Sequence, residues 1–163
     1  MPKYRVSENE ITKHHTATEE KGFGGMDIRF LLTDKTVNAK EMSLYRTIFP
    51  EGFSAHHKHI HVDTEEIVYG VRGRGVIGIV ERDGNVVDVE ISHGVAVFIP
   101  KNYVHWYRVL EPDESGEVEI CGAYSNPQIA ENKAEHYRYI DEIKEEDKKL
   151  TIEDVANGIY VKS

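Results

Sequence analysis

Short segments in which apolar and polar residues alternate follow one another through most of this chain. Asp83-Gly84-Asn85 lies between two of them, and Asp-Gly between alternating segments is a strong hairpin signal. Turn-forming residues separate many of the others. The predicted strands are residues 26–32, 43–49, 57–61, 66–71, 76–80, 86–91, 95–99, 105–110 and 118–124. We therefore predict an all-β antiparallel sandwich or barrel rather than alternating strand–helix units.

One of these segments has a different pattern from the rest. Residues 95–99 are a short apolar run that Pro100 closes. A continuous apolar run is typical of a strand that is buried on both faces. We therefore expect this strand to lie inside the fold with neither face in water.

The residues on either side of the strand region differ from it in composition. Residues 1–25 are polar, and we interpret them as an N-terminal arm. A capping-box pattern begins at Thr151, and Gly158 would end the short helix that follows. The predicted organisation is an arm over 1–25, a barrel over 26–125 and a C-terminal tail with a short helix over 126–163.

Composition excludes several classes of protein. A chain of 163 residues fits one domain. Twenty Lys+Arg against 29 Asp+Glu give a net charge of −9, which disfavours nucleic acid and anionic membranes as partners. One cysteine cannot form an internal disulfide. Because the sequence has neither an apolar signal core nor an 18-residue apolar stretch, we expect a cytoplasmic location.

A cluster of candidate metal ligands follows the second strand. His59 and His61 are two residues apart, so their side chains point to the same face of a strand. Glu65 or Glu66 follows after a predicted turn, and His105 at the start of another strand is the best candidate for a fourth ligand. Imidazole with a carboxylate suits Fe(II), Mn, Ni, Co or Zn, whereas Ca and Mg prefer oxygen ligands.

Two segments have the spacing of known motifs. One has the pattern H-x-H-x4-E-x6-G from His59 to Gly73, and the other G-x5-P-x-N-x2-H from Gly94 to His105. Both resemble the motifs of the cupin superfamily, over roughly residues 43–124. The resemblance implies a double-stranded β-helix, that is, a jelly-roll barrel. It also implies four metal ligands, which are His59, His61, Glu66 and His105.

Two positions need an argument beyond the motif. Asn102 stands where the cupin motif has glycine, and Asn tolerates left-handed backbone angles well enough to keep the turn. Strict alternation from His61 would put Glu65 on the histidine face, whereas the motif spacing selects Glu66. We favour Glu66, since the chain need not stay regular through a turn.

Three further residues are candidates for catalysis. His57 shares the parity of the two motif histidines, so it is a candidate fifth ligand, proton shuttle or rim residue, while His56 is expected to face outward. Tyr107, two residues after His105, is a candidate for orienting a substrate or donating a proton, or for lining the barrel. Arg46 is a candidate for holding a carboxylate or phosphate, with a structural salt bridge as the alternative.

The resemblance also implies a function. We expect a mononuclear metalloenzyme with one divalent metal ion per chain, with Fe(II) favoured. Three histidines and a glutamate leave about two of six octahedral positions open, for a small oxygenated substrate or for substrate and O2. The favoured interpretation is a dioxygenase-type oxidoreductase. The alternatives are an isomerase or lyase acting on a sugar or sugar phosphate, and a non-catalytic small-molecule-binding barrel. A homodimer is expected by analogy with such barrels.

Overall fold

The computed structural model describes residues 4–12, 26–49, 55–62, 64–130 and 137–139. Within them, a short α-helix, α1 (Asp34–Val37), and a 3-10 turn at Glu8–Glu10 accompany the strands. The strands are β1 (Asp27–Leu32), β2 (Ser43–Phe49), β3 (Ala55–His61), β4 (Glu66–Arg72), β5 (Arg74–Val80), β6 (Val86–Ser92), β7 (Ala96–Ile99), β8 (His105–Glu111), β9 (Val118–Tyr124) and β10 (Tyr137–Tyr139).

The strands form two five-stranded antiparallel sheets. The first sheet has the order β1-β2-β9-β4-β7, and the second has the order β10-β3-β8-β5-β6. The chain crosses from the first sheet to the second at Gly73, whose φ of +70° suits glycine. The prediction of an all-β jelly-roll barrel is confirmed.

Alternation along the strands places the core between the sheets. In β2, every second residue from Ser43 to Phe49 is buried, and the residues between them are half-buried. The largest hydrophobic cluster takes side chains from both sheets, such as Phe30 and Val68 from the first and Ile77 from the second. Burial of this apolar area, at about 25 cal/mol per Å², is the main term that holds the sheets together.

The expectation that residues 95–99 are buried on both faces is wrong. Val97 and Ile99 are buried, whereas Phe98 is 53% exposed. The strand they form, β7, is an edge strand of the first sheet, and only its inner face meets the second sheet. A run of apolar residues does not distinguish this position from a central one.

The predicted hairpin at Asp83-Gly84 is confirmed. It joins β5 to β6, with the Glu81 amide donating to the Asn85 carbonyl at 2.8 Å. Gly84 has a φ of +87°, and the Asp83 carboxylate accepts from the Asn85 amide at 3.0 Å. The turn therefore has the backbone conformation that the Asp-Gly pair favours.

A bulge interrupts the pairing of β3 with β8. His56 is opposite Tyr107, and His59 is opposite His105, so a step of three residues on β3 matches a step of two on β8. The extra residue changes which side chains share a face. The expectation that His56 faces outward is therefore wrong, since it lines the same cavity as His59.

The segments outside the predicted barrel are described in part. Residues Tyr137–Tyr139 form β10 at the edge of the second sheet, beside β3; a strand of three residues was too short for the sequence pattern to indicate. In the predicted arm, Arg29 donates to the carbonyls of Glu8 and Ile11 at 3.1 and 3.2 Å. The helix predicted to begin at Thr151 lies outside the described residues. In the described ranges, no helix has the length and apolarity to cross a bilayer.

Candidate metal centre

The three motif histidines come together on neighbouring strands of the second sheet. His59 and His61 are on β3, and His105 lies directly opposite His59 on β8. Each is at most 3% exposed. One ring nitrogen from each lies within 4.8 Å of the others, and the two Nε2 atoms of His59 and His61 are 3.1 Å apart.

Glu66 reaches the same point from the first sheet. Its Oε2 lies 3.4 Å from Nε2 of His105 and 3.5 Å from Nδ1 of His61. Glu66 is 5% exposed, whereas Glu65 points to solvent. Because β3 ends at His61 and β4 begins at Glu66, strand alternation is broken between them. The structure therefore places Glu66, and not Glu65, beside the histidines.

The hydrogen bonding of His105 indicates which of its nitrogens is free for a metal. Nδ1 of His105 lies 2.9 Å from the carbonyl oxygen of Tyr103. A carbonyl only accepts, so in the neutral ring Nδ1 carries the proton and Nε2 offers a lone pair. Among the described residues, this buried Nε2 has no hydrogen-bond partner.

The site therefore suits a divalent cation. The Nε2 lone pair of His105 faces a carboxylate oxygen of Glu66 at 3.4 Å in a buried position, and an arrangement of two acceptors is unfavourable without a cation or proton between them. Three imidazoles and one carboxylate are the donor set of Fe(II), Mn, Co, Ni or Zn sites. With one nitrogen from each ring, Nε2 of His59 lies 3.1 Å from Nε2 of His61, and Nε2 of His105 lies 3.4 Å from Oε2 of Glu66. Both distances suit atoms at adjacent positions of a metal with bonds of about 2.1 Å.

The turn before β8 has the backbone conformation expected from the sequence. Asn102 has a φ of +64°, in the left-handed region where Asn replaces Gly at low cost. Its amide donates to the carbonyl of His61 at 3.1 Å. This bond ties the turn that precedes His105 to the end of β3, so the two motifs are held in register.

A small cavity adjoins the candidate metal ligands. His56, His59, Glu66 and His105 contribute polar groups to it. Most other lining side chains are aliphatic or aromatic, and the described lining residues include neither lysine nor arginine. The apolar side chains in its wall are Met26, Ile28, Phe49, Val68, Ile77, Ile99 and Ile120.

A fourth histidine, His56, lies beside the three motif histidines. The His56 ring centroid is 4.4 Å from that of His59, and the bulge in β3 accounts for this position. The neighbouring residue, His57, was the candidate that alternation selected. Its side chain lies outside the described part of the structure, so its predicted role stays a prediction.

Tyr107 lines the cavity but its hydroxyl points elsewhere. The ring stacks on that of Phe49, with centroids 4.4 Å apart and planes 9° apart. The hydroxyl lies against Gly75, which pairs with Val109, four residues along β8 from His105. Burial raises the pKa of this hydroxyl well above its usual range, so it stays protonated. The position fits the barrel-lining alternative better than proton donation at the histidines.

Arg46 lies on the outer face of the first sheet, so its predicted catalytic role does not fit. Its Nε donates to Glu119 at 2.8 Å, which is the salt-bridge alternative. The adjacent residue on β2, Tyr45, faces inward and donates a short hydrogen bond to Oε1 of Glu66. Sequence reasoning missed Tyr45, although alternation with the apolar Phe49 places it on the inner face.

Comparisons with known proteins agree with this fold and site. The sequence model of the cupin family matches residues 31–134, and no curated protein sequence matches the chain. Oxalate decarboxylase from Bacillus subtilis superposes with a TM-score of 0.71 at 16% identity, covering 96% of this chain and 39% of that chain. An oxalate oxidase gives 0.58 at 18%, covering 76% and 60%, and pumpkin seed globulin gives 0.53 at 21%, covering 63% and 26%.

These observations define a jelly-roll barrel with a cluster of candidate metal ligands in its interior. The chain belongs to the cupin family. It spans between 33% and 39% of the Bacillus subtilis decarboxylase chain, and such distant likeness to solved structures supports the fold alone. The expected homodimer and cytoplasmic location stay predictions.

Proposed function

We propose that this protein is a mononuclear metal-dependent enzyme acting on a small, largely apolar substrate that carries metal-binding oxygens. One observation supports the proposal most directly. The buried Nε2 of His105 has no hydrogen-bond partner among the described residues and lies 3.4 Å from Oε2 of Glu66, beside two further histidines and an apolar cavity. His59, His61, Glu66 and His105 would hold the ion. When bound, a divalent metal polarises a substrate oxygen and stabilises developing enolate or alkoxide charge.

The protein's own residues would do the remaining work. The apolar wall excludes water from the reacting atoms, which strengthens electrostatic interactions in the site. His56 lies near enough to His59 to contact a substrate held at the metal. The bond from Nδ1 of His105 to the Tyr103 carbonyl fixes the ring's orientation and its tautomer.

The cavity favours dioxygenation over the alternatives. O2 and the body of an enol or aromatic substrate are apolar and suit walls such as Ile77 and Ile120. A sugar would leave hydroxyls facing those walls, and each unpaired buried polar group costs about 1–3 kcal/mol. A phosphate or an oxalate dianion would meet no lysine or arginine among the described lining residues. Dioxygenation of an enol, diol or aromatic is therefore the favoured reaction.

The test has two stages. Elemental analysis of protein purified without chelator identifies the metal, and repletion with Fe(II), Mn, Co, Ni and Zn in turn tests the capacity of the site. Oxygen consumption is then measured with a 1,3-diketone, a catechol, oxalate and glucose 6-phosphate. We expect Fe(II)-loaded protein to consume O2 with one of the first two. His59→Ala should abolish this activity, and His93→Ala, at an exposed histidine, should not. Protein that takes up none of the five metals would refute the enzyme proposal.

A further inference from the structure

Tyr45 connects two strands that are not neighbours. In the first sheet, β9 lies between β2, which carries Tyr45, and β4, which carries Glu66. Tyr45 is opposite Gly122 on β9, and Gly122 is opposite Val68 on β4. The Tyr45 ring therefore passes over Gly122 to place its hydroxyl on Oε1 of Glu66.

Gly122 provides the space for this crossing. A Cβ added at Gly122 would lie 2.4 Å from both Cζ and the hydroxyl oxygen of Tyr45, and 2.5 Å from the carbonyl oxygen of Ile67. Carbon atoms cannot approach so closely, so any larger residue would displace the ring or the backbone. The ring also stacks on Tyr124, with centroids 4.8 Å apart, which limits where else it could go.

The hydrogen bond determines which carboxylate oxygen faces the histidines. A hydroxyl held on Oε1 leaves Oε2 to lie 3.4 Å from Nε2 of His105 and 3.5 Å from Nδ1 of His61. Groups that orient ligand side chains commonly change metal affinity by about 10–100-fold when removed. We propose that Tyr45, through the gap at Gly122, is a positioning residue that fixes the Glu66 carboxylate for the metal. This inference rests on the proposed metal site.

The test measures metal binding without any substrate. Co(II) is titrated into the metal-free protein, and the dissociation constant and visible absorption spectrum are recorded for wild type, Tyr45→Phe and Gly122→Ala. We expect both variants to bind Co(II) about 10–100-fold more weakly, with shifted absorption bands. Tyr107→Phe is the matched control. The ring of Tyr107 lines the same cavity, but its buried hydroxyl lies against Gly75 and has no hydrogen-bond partner among the described residues. The Co(II) affinity of this variant should equal that of wild type.

The outcomes separate this inference from the proposed function. Wild-type Co(II) affinity and spectrum in Tyr45→Phe would overturn the role of Tyr45 and leave the metal site standing. An equal loss in Tyr107→Phe would also overturn it, since the effect would then not depend on the bond to Glu66. Wild-type protein that takes up no Co(II) would overturn both the inference and the proposed function. Because Tyr45→Phe preserves the ring, thermal unfolding of the metal-free protein should confirm that it folds.

Discussion

His105 is the residue whose removal tests the metal site most directly. In His105→Ala the site loses the one imidazole on β8, and Glu66 loses its nearest ring nitrogen at 3.4 Å. A complete four-ligand zinc site contributes about 10–16 kcal/mol of binding free energy, so one ligand is worth roughly 2.5–4 kcal/mol. The dissociation constant of the variant for Zn²⁺ should therefore rise by at least about 100-fold.

Thermal unfolding converts this loss into a measurable difference. With free Zn²⁺ at about 100 times the wild-type dissociation constant, binding stabilises wild type by about 2.7 kcal/mol and the variant by about 0.4 kcal/mol. At about 2–4 °C per kcal/mol, the wild-type melting temperature should rise by about 5–11 °C and that of the variant by about 1–2 °C.

The comparison is made within each protein, with and without Zn²⁺. Destabilisation of the metal-free variant by its lost packing therefore cancels. His93→Ala is the control, since His93 is exposed and bonds only to the Val71 carbonyl among the described contacts. A Zn²⁺-induced rise in His105→Ala as large as in wild type would refute the assignment of His105 as a ligand.

Three further predictions concern other parts of the structure. Glu66→Gln should weaken Co(II) binding by about 10-fold or more while Glu65→Gln leaves it unchanged; in a Co(II) titration, the reverse order would contradict the placement of the carboxylate. Burial alone would raise the pKa of Glu119, but its arginine partners outweigh burial and lower it. Glu119→Gln should therefore cost about 1–3 kcal/mol at pH 7. The difference in unfolding free energy between wild type and Glu119→Gln should vanish as pH falls below the ordinary glutamate pKa and through the lower pKa of the folded state. A difference that stays constant across this pH range in urea unfolding would contradict the prediction. Gly78→Ala should destabilise the folded protein by about 1–3 kcal/mol and change the tryptophan fluorescence, because the new Cβ would lie 2.2 Å from the Trp106 ring. Unchanged stability and emission would count against this contact.

Local sequence patterns were sufficient for most of the strands. The segments predicted at 43–49 and 118–124 match β2 and β9 residue for residue, because alternation over seven residues has a period that no helix shares. The same pattern did not indicate β10, whose three residues are held in place by pairing with β3. Nor did it indicate that Phe98 is exposed, since exposure depends on which strand lies at the edge.

Parity along a strand failed where the strand is irregular. The bulge in β3 turns His56 into the cavity, although regular alternation from His59 would direct it outward. Regular alternation from His61 would likewise have selected Glu65. The motif spacing selected Glu66 instead, because the four residues that it allows between His61 and Glu66 include the break between β3 and β4.

The sequence by itself determined the all-β architecture, the hairpin at Asp83-Gly84 and the three histidines that converge. These features depend on period, turn chemistry and spacing, all of which are local. Only the tertiary structure decided that Tyr45 reaches Glu66 over Gly122, and that Arg46 pairs with Glu119 outside the barrel. Those contacts join residues 21 and 73 positions apart, and which residues meet at such separations is decided by strand order and register, which no local pattern encodes.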